Sequence, residues 1–340
     1  MTNLPADTPV PMKTTAPKAA PLDCGSIRGL APDDLQRIAA VIEGEVAEST
    51  RTTYASGWRS WETWCRRRGL MPLPADPHAL AAYLTERAEA GLCYGTMDGD
   101  CAAIAHRHHQ EGLSDPTAAA VVRRVRRGLR RIIGTAPRRQ AHPLTVAELA
   151  QIVASIDAES GIGVRDRAVL LLGYAAALRP SEIAALHLAD ITVDAHGLLI
   201  TIRRSKTDQE GHGQLVGVAA GLHAATDPIR SLRAWLDLRP VGPGPLFTRV
   251  PAHRPITRDG FGPRTVSDLV RNRAHAAGLG DLGVSGHSLR AGHATTAAVN
   301  GARIDRVAAQ TRHRDLTTLF NHYIPPADAL ARTTSRDLGL

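Results

Sequence analysis

The chain has 340 residues, enough for two domains of ordinary size, and 43% of them are hydrophobic but only 4% aromatic, so cores of Ala, Leu, Val and Ile are expected. A formal net charge of +8 at pH 7 favours a polyanionic partner. No apolar run is long enough for a membrane span, the N-terminus lacks the apolar region of a signal peptide, and Cys24, Cys65, Cys93 and Cys101 show no CxxC spacing, which together fit reduced thiols in a cytoplasmic protein.

Residues 1–30 are rich in Pro, Ala and Thr without periodicity and read as a disordered tail. Helical patterns then fill residues 31–135. The first opens at Pro32-Asp33-Asp34, and the second places Tyr54, Trp58, Trp61 and Cys65 on one stripe. Two further patterns, "DPHALAAYLTERAEAG" and "TMDGDCAAIAHRHHQEG", each end at glycine. The last, "DPTAAAVVRRVRRGLRRIIG", sets Val121, Val122, Val125, Leu129, Ile132 and Ile133 at helical spacing as its buried face. Arg123, Arg124, Arg126, Arg127, Arg130 and Arg131 cover the rest, and Arg138 and Arg139 follow. No acid interrupts this run. A solvated face alternates sign to limit repulsion, so an all-arginine face is better matched by phosphates. Residues 136–144 read as a linker, with two prolines and no apolar period.

From 145 onward a second domain starts with a capped amphipathic helix, "TVAELAQIVASI". "RDRAVLLLGYAAAL" is apolar nearly all round and reads as a central buried helix. "GLLITIRRS" and "GQLVGVAA" read as a strand pair joined by the polar loop "KTDQEGH". The remainder reads as helices and loops. The fold class is therefore mainly α with a small antiparallel β-sheet, in two domains.

Four stretches of the second domain carry chemistry. In "ALRPSEIAAL", Pro180 breaks the chain after the buried helix and leaves Arg179 at the break. A guanidinium there needs a partner. Glu182 can supply one, either as a plain salt bridge or as the group that aims Arg179 at an anion. In "RRSKTDQEGHG", Lys206 sits in or beside a hairpin turn, either solvated or placed to deliver an ammonium to a leaving group. In "SGHSLR", His287 and Arg290 lie one helical turn apart, so both can reach one small anion or both can face solvent. His293 is a packing or supporting residue. In "TRHRDLTTLFNHYIPP", Asp315 can cap a helix whose stripe is Leu316, Leu319, Phe320 and Tyr323. Tyr323 is either a core aromatic or a nucleophile.

The order Arg, Lys, His-x-x-Arg, His, Tyr in a basic chain is far more specific than any part of it. Through "LRPSEI", "RSKTDQEG", "HSLRAGHATT" and "TRHRDLTTLFNHYI", residues 145–340 resemble the catalytic domain of the tyrosine recombinase (phage integrase) family. Residues 31–135 are similar in layout to its helical core-binding domain. By matching position, the resemblance implies that Arg179 and Arg290 bind the scissile phosphate, with Glu182 in support. It further implies that His287 assists proton transfer, Lys206 is the general acid, His313 holds a phosphate oxygen and Tyr323 is the nucleophile. Double-stranded DNA would be the partner and a homotetramer on paired recombination sites the working assembly, with no metal or other cofactor. His313 and Tyr323 are one residue further apart than is usual in the family. One added residue turns a helix by about 100°.

The residue types fit phosphoryl transfer on physical grounds too. Fixed cations stabilise the charge that grows on the phosphate oxygens, and a tyrosyl ester conserves the broken bond. An ammonium can protonate the leaving oxygen, and the cations stand in for metal ions. A type IB topoisomerase shares this chemistry, and a DNA-binding protein with a degenerate site is a different class of alternative. A metal-dependent nuclease would have to use His106, His108 and His109, which lack clustered carboxylates.

Overall fold

A computed structural model of the protein describes residues 31–135, 141–203, 213–252, 254–313, 315 and 319. The expected tail, Arg138, Arg139, Lys206 and Tyr323 lie outside the described residues. The chain divides into two compact units between Gly134 and Thr135.

In the first unit local signals fix the helix ends. Helix α1 (Pro32–Glu43) starts where the Asp34 carboxylate accepts the Ala31 N–H at 2.9 Å. Helix α2 (Glu48–Arg68) stops at Gly69, whose φ of 65° takes the left-handed turn. Helix α3 (Pro77–Glu89) is capped by Asp76, which accepts the N–H groups of His78 and Ala79 at 2.8 and 2.9 Å. Helix α4 (Tyr94–Gln110) packs on α2, and α5 (Ala120–Ile133) packs on α3.

The core of this unit is mostly aliphatic, as expected from composition, but holds one aromatic cluster: Trp61, Trp64 and Tyr83 are all buried with ring centroids 5.3 to 5.5 Å apart. Their polar atoms are all matched: Trp61 donates to the Pro72 carbonyl, Trp64 to Glu86 and Tyr83 to Asp100. Of the expected stripe, Trp61 and Cys65 are buried, while Tyr54 and Trp58 are only half-buried. His108 is a core residue. Its Nε2 accepts the Ala75 N–H at 2.9 Å and its Nδ1–H meets the Ile104 carbonyl at 2.7 Å, which uses both ring nitrogens.

The second unit starts with a capping box. Thr145 Oγ1 accepts the Glu148 N–H at 3.2 Å and Glu148 accepts the Thr145 N–H at 2.7 Å, opening α6 (Val146–Ala154). Helix α7 (Gly161–Ala175) runs through the core, and its two buried charges, Arg165 and Asp166, pair with each other. Helix α8 (Pro180–Ala185) follows the break at Arg179. The sheet has three antiparallel strands in sequential order, β1 (Ile191–Asp194), β2 (Gly197–Ile202) and β3 (Gln214–Val218). β1 is a correction to the expected pair. Most of its residues are exposed, so it carries no apolar alternation to announce it. Helices α9 (Pro228–Leu238), α10 (Pro263–Ala276), α11 (His287–Val299) and α12 (Ile304–Thr311) complete the unit among the described residues. Beyond them Leu319 is helical and fully buried against Ala294, Val307 and Ala308. Among the described residues no helix is long and apolar enough to cross a membrane.

Candidate active site

The site is built around the end of α7. A helix leaves its last carbonyls without intrahelical partners, and its dipole places partial negative charge there. Here that end is sealed in the core: Ala176, Ala177 and Leu178 are fully buried. Water cannot serve these carbonyls, so donors from α11 and α12 do. Gln310 donates to the Ala175 carbonyl at 3.2 Å, and Arg312 to the Ala176 carbonyl at 3.2 Å. The Ala177 carbonyl accepts from two guanidiniums, Arg290 at 2.8 Å and Arg312 at 3.0 Å. Ala177 itself has a φ of 49°, a left-handed turn that swings the chain out of α7 and into the extended Arg179.

Arg179 is the N-cap of α8, and Pro180 starts the helix. Its backbone N–H donates to Glu182 Oε2 at 2.8 Å, and its guanidinium meets Glu182 Oε1 at 2.6 Å. Glu182 is shared: Arg312 Nη2 reaches its Oε2 at 2.7 Å. Burial pushes the Glu182 carboxyl up, but the charge of Arg312 and the bonds and charge of Arg179 outweigh it and hold the group below its usual value. Glu182 is therefore a carboxylate that fixes two guanidiniums at once, and the ion-pair and aiming readings of Arg179 describe the same contact.

Helix α11 brings the next pair. A side-chain carbon at Gly286 would lie 2.6 Å from Pro180 and 2.8 Å from the Ser267 hydroxyl, so only glycine lets the start of α11 rest on the start of α8. That close approach sets His287, the first residue of α11, beside the Arg179–Pro180 turn. The two residues of "SGHSLR" have opposite surroundings. His287 is exposed, whereas Arg290 is 1% exposed and spans the Ala177 and Thr311 carbonyls.

At the far side α12 ends at Thr311, and Arg312 takes a left-handed φ of 56°. This turn presents His313, whose Nδ1 lies 2.7 Å from Thr311 Oγ1. The Thr311 hydroxyl has one proton, directed to the Val307 carbonyl at 2.7 Å, so Nδ1 of His313 is the donor in that contact. His293 supports from behind: its Nδ1–H meets the Tyr174 carbonyl at 3.0 Å. Burial lowers its pKa, the Tyr174 bond opposes this, and the Arg290 and Arg312 charges add to the lowering. Tyr174 bonds Thr296 at 2.8 Å and has its pKa raised chiefly by burial, so it is a packing residue.

Arg179, Glu182, Arg290 and His313 are thus joined through Ala177, Thr311 and Arg312, with His287 at their edge. The helix dipole and one carboxylate hold the guanidiniums. Lys206 lies outside the described residues; at the end of β2, Arg203 meets the buried Asp190 at 2.7 Å. Arg312 was missed in the sequence reading. It stands next to His313 in the motif, but a left-handed arginine has no sequence signal, since glycine or asparagine is what marks such turns.

In the first unit, Arg123, Arg124, Arg127, Arg130 and Arg131 lie exposed on α5. Two expectations are corrected there. Ile132, assigned to the buried face, is 83% exposed, because the core-facing stripe continues from Leu129 to Ile133 and turns Ile132 away from it. Arg126 is half-buried in an ion pair with Asp98 of α4, an acid the local sequence around it does not contain.

The model of the "Phage integrase family" matches residues 143–329, more than half of the chain. The chain belongs to the phage integrase family. Over 276 residues it is 30% identical to an integrase/recombinase xerD homolog of Selenomonas ruminantium, covering 80% of both chains. It is 26% identical to the cre recombinase of Escherichia phage P1 over 81% of this chain and 84% of that protein. In fold it is similar to the Tn1549 transposon integrase, with a TM-score of 0.59 at 12% identity over 90% of this chain and 98% of that one. Residues 75–356 of lambda integrase give a TM-score of 0.56 at 17% identity over 85% of this chain and 93% of that one. As a member of this family, the chain is a site-specific tyrosine recombinase.

Proposed function

We propose that this recombinase breaks and rejoins duplex DNA through Tyr323. The Tyr323 oxygen attacks the scissile phosphorus and loses its proton. The bond from phosphorus to the 5′ oxygen breaks, a 3′-phosphotyrosyl ester forms, and the 5′ oxygen leaves as a hydroxyl after taking a proton from Lys206. Arg179 and Arg290 bind the phosphate, His313 holds one of its oxygens and His287 relays the nucleophile's proton. Attack by a different 5′ hydroxyl reverses the step and joins new partners. A homotetramer on two paired sites carries out the exchange, a reading supported by the lambda integrase tetramer bound to a Holliday junction. The exposed α5 arginines, with Arg138 and Arg139, follow the DNA backbone.

The observation that carries this reading is the convergence of Arg179, Arg290 and His313 on the end of α7 through Ala177, Thr311 and Glu182. Its test starts by sequencing the DNA held in covalent protein–DNA adducts, which supplies a target for a nicked duplex. On that duplex, in EDTA and without ATP, the wild type should form an adduct. Tyr323→Phe should bind equally well and form none. An adduct from the Phe variant would remove Tyr323 as nucleophile, and strict dependence on added magnesium would point to a nuclease mechanism.

A further inference from the structure

Arg312 is an unusual residue to find inside a protein. It is 5% exposed, it is one of two non-glycine residues with positive φ among those described, and its Nε has no partner among them. Each feature is costly: a left-handed backbone strains any residue with a side chain, and an orphaned buried donor loses its water without a replacement. Glycine at this turn would avoid all of them. The remaining nitrogens of the guanidinium are fully committed. Nη1 donates to the carbonyls of Ala176 at 3.2 Å and Gln310 at 2.8 Å, and Nη2 to the Ala177 carbonyl at 3.0 Å and Glu182 at 2.7 Å.

These contacts reach three of the candidate residues, Arg179, Arg290 and His313. Ala177 is also held by Arg290, Glu182 also holds Arg179, and the strained turn at 312 leads directly into His313. We propose that Arg312 is a positioning residue for strand cleavage: through Glu182 it fixes the direction of Arg179, and through Ala176 and Ala177 it seats the His313 turn against the end of α7. This rests on the recombinase reading above. Arg312 need not touch the phosphate. Its effect is on the aim of groups that do, and misplacement by about 1 Å costs such chemistry about 100-fold.

The test uses the full chain and the nicked duplex recovered from adduct sequencing. Arg312→Gly relieves the backbone strain and removes the clamp. It should keep DNA affinity, which is spread over many phosphates, and lose about 100-fold in single-turnover cleavage rate. Millimolar guanidinium should restore part of that rate, as should Arg312→Lys, which keeps a charge for Glu182. In a Glu182→Gln background, Arg312→Gly should cost less than it does alone, because the part of its effect that passes through Glu182 is already lost. A merely structural role predicts instead a rate that falls only in step with the folded fraction, no guanidinium rescue and additive losses, and would overturn the proposal. A wild type that forms no adduct overturns the recombinase reading and this proposal with it. An active wild type beside an equally active Arg312→Gly variant overturns this proposal alone.

Discussion

Arg290 and His287 stand one turn apart on α11 and yet do different things. Arg290 is sealed against two carbonyls, so its loss affects both folding and chemistry. Arg290→Ala should lower the cleavage rate by about 100- to 1,000-fold at every pH, as for a lost oxyanion donor. It should also lower stability by about 1–3 kcal/mol, because buried acceptors are left unmatched. His287 is exposed, so His287→Gln should leave the thermal midpoint unchanged. Glutamine keeps a donor but cannot relay a proton, so slow cleavage with a flattened pH–rate profile is expected from single-turnover measurements. His293 gives a pH effect of a separate kind. Its folded pKa is lowered, so the unfolded chain binds the proton more readily. The stability due to neutral His293 is complete above the unfolded value of about 6.5 and is lost as pH falls through the lower folded value. Calorimetry across this range should show a shallower fall in midpoint for His293→Asn, which retains a donor for the Tyr174 carbonyl. The positions of Arg179, His287, Arg290 and Glu182 on their elements were legible because each sits in a short motif with a proline or a helical turn, while their roles came only from the family resemblance. Arg312 was not, because its role depends on a backbone turn and on carbonyls far away in sequence.

Among the elements, α5 is the one whose surface decides a measurable property. Its exposed arginines, Arg123, Arg124, Arg127, Arg130 and Arg131, should each contribute about −0.9 to the slope of log K against log salt where they meet a phosphate. Neutralising them should flatten that slope in binding titrations with any duplex. Arg126→Ala alone should change it less, since Asp98 already neutralises that side chain. An unchanged slope in the multiple variant would return this face to the role of a solvated surface. Helix existence was legible throughout this region because caps such as Asp76 and stops such as Gly69 are local. What the periodicity could not supply was the depth of the core beneath each residue. Ile132 has the right spacing but lies beside the stripe that Leu129 and Ile133 continue, and the mostly exposed β1 is recognisable only by its pairing with β2.

At the scale of the whole molecule, each unit has its own mostly aliphatic core, and that of the first is the smaller and holds the Trp61–Trp64–Tyr83 cluster. The composition indicated enough apolar residues for two cores. It did not indicate how they would be shared, because a percentage carries no positions. The net charge of +8 is likewise distributed, with some guanidiniums spread over α5 and others sunk into the end of α7. The segment joining the units ends at Leu144, which is fully buried and donates its N–H to the Ser288 carbonyl at 3.3 Å. Its own carbonyl lies 2.1 Å from where a side-chain carbon at Gly292 would stand. Ser288 and Gly292 bracket Arg290 on α11. The joining segment is thus tied, at its entry, to the one helix that carries both residues of "SGHSLR". Any side chain at Gly292 would have to push Leu144 or α11 aside, and Arg290 would shift with the helix that carries it.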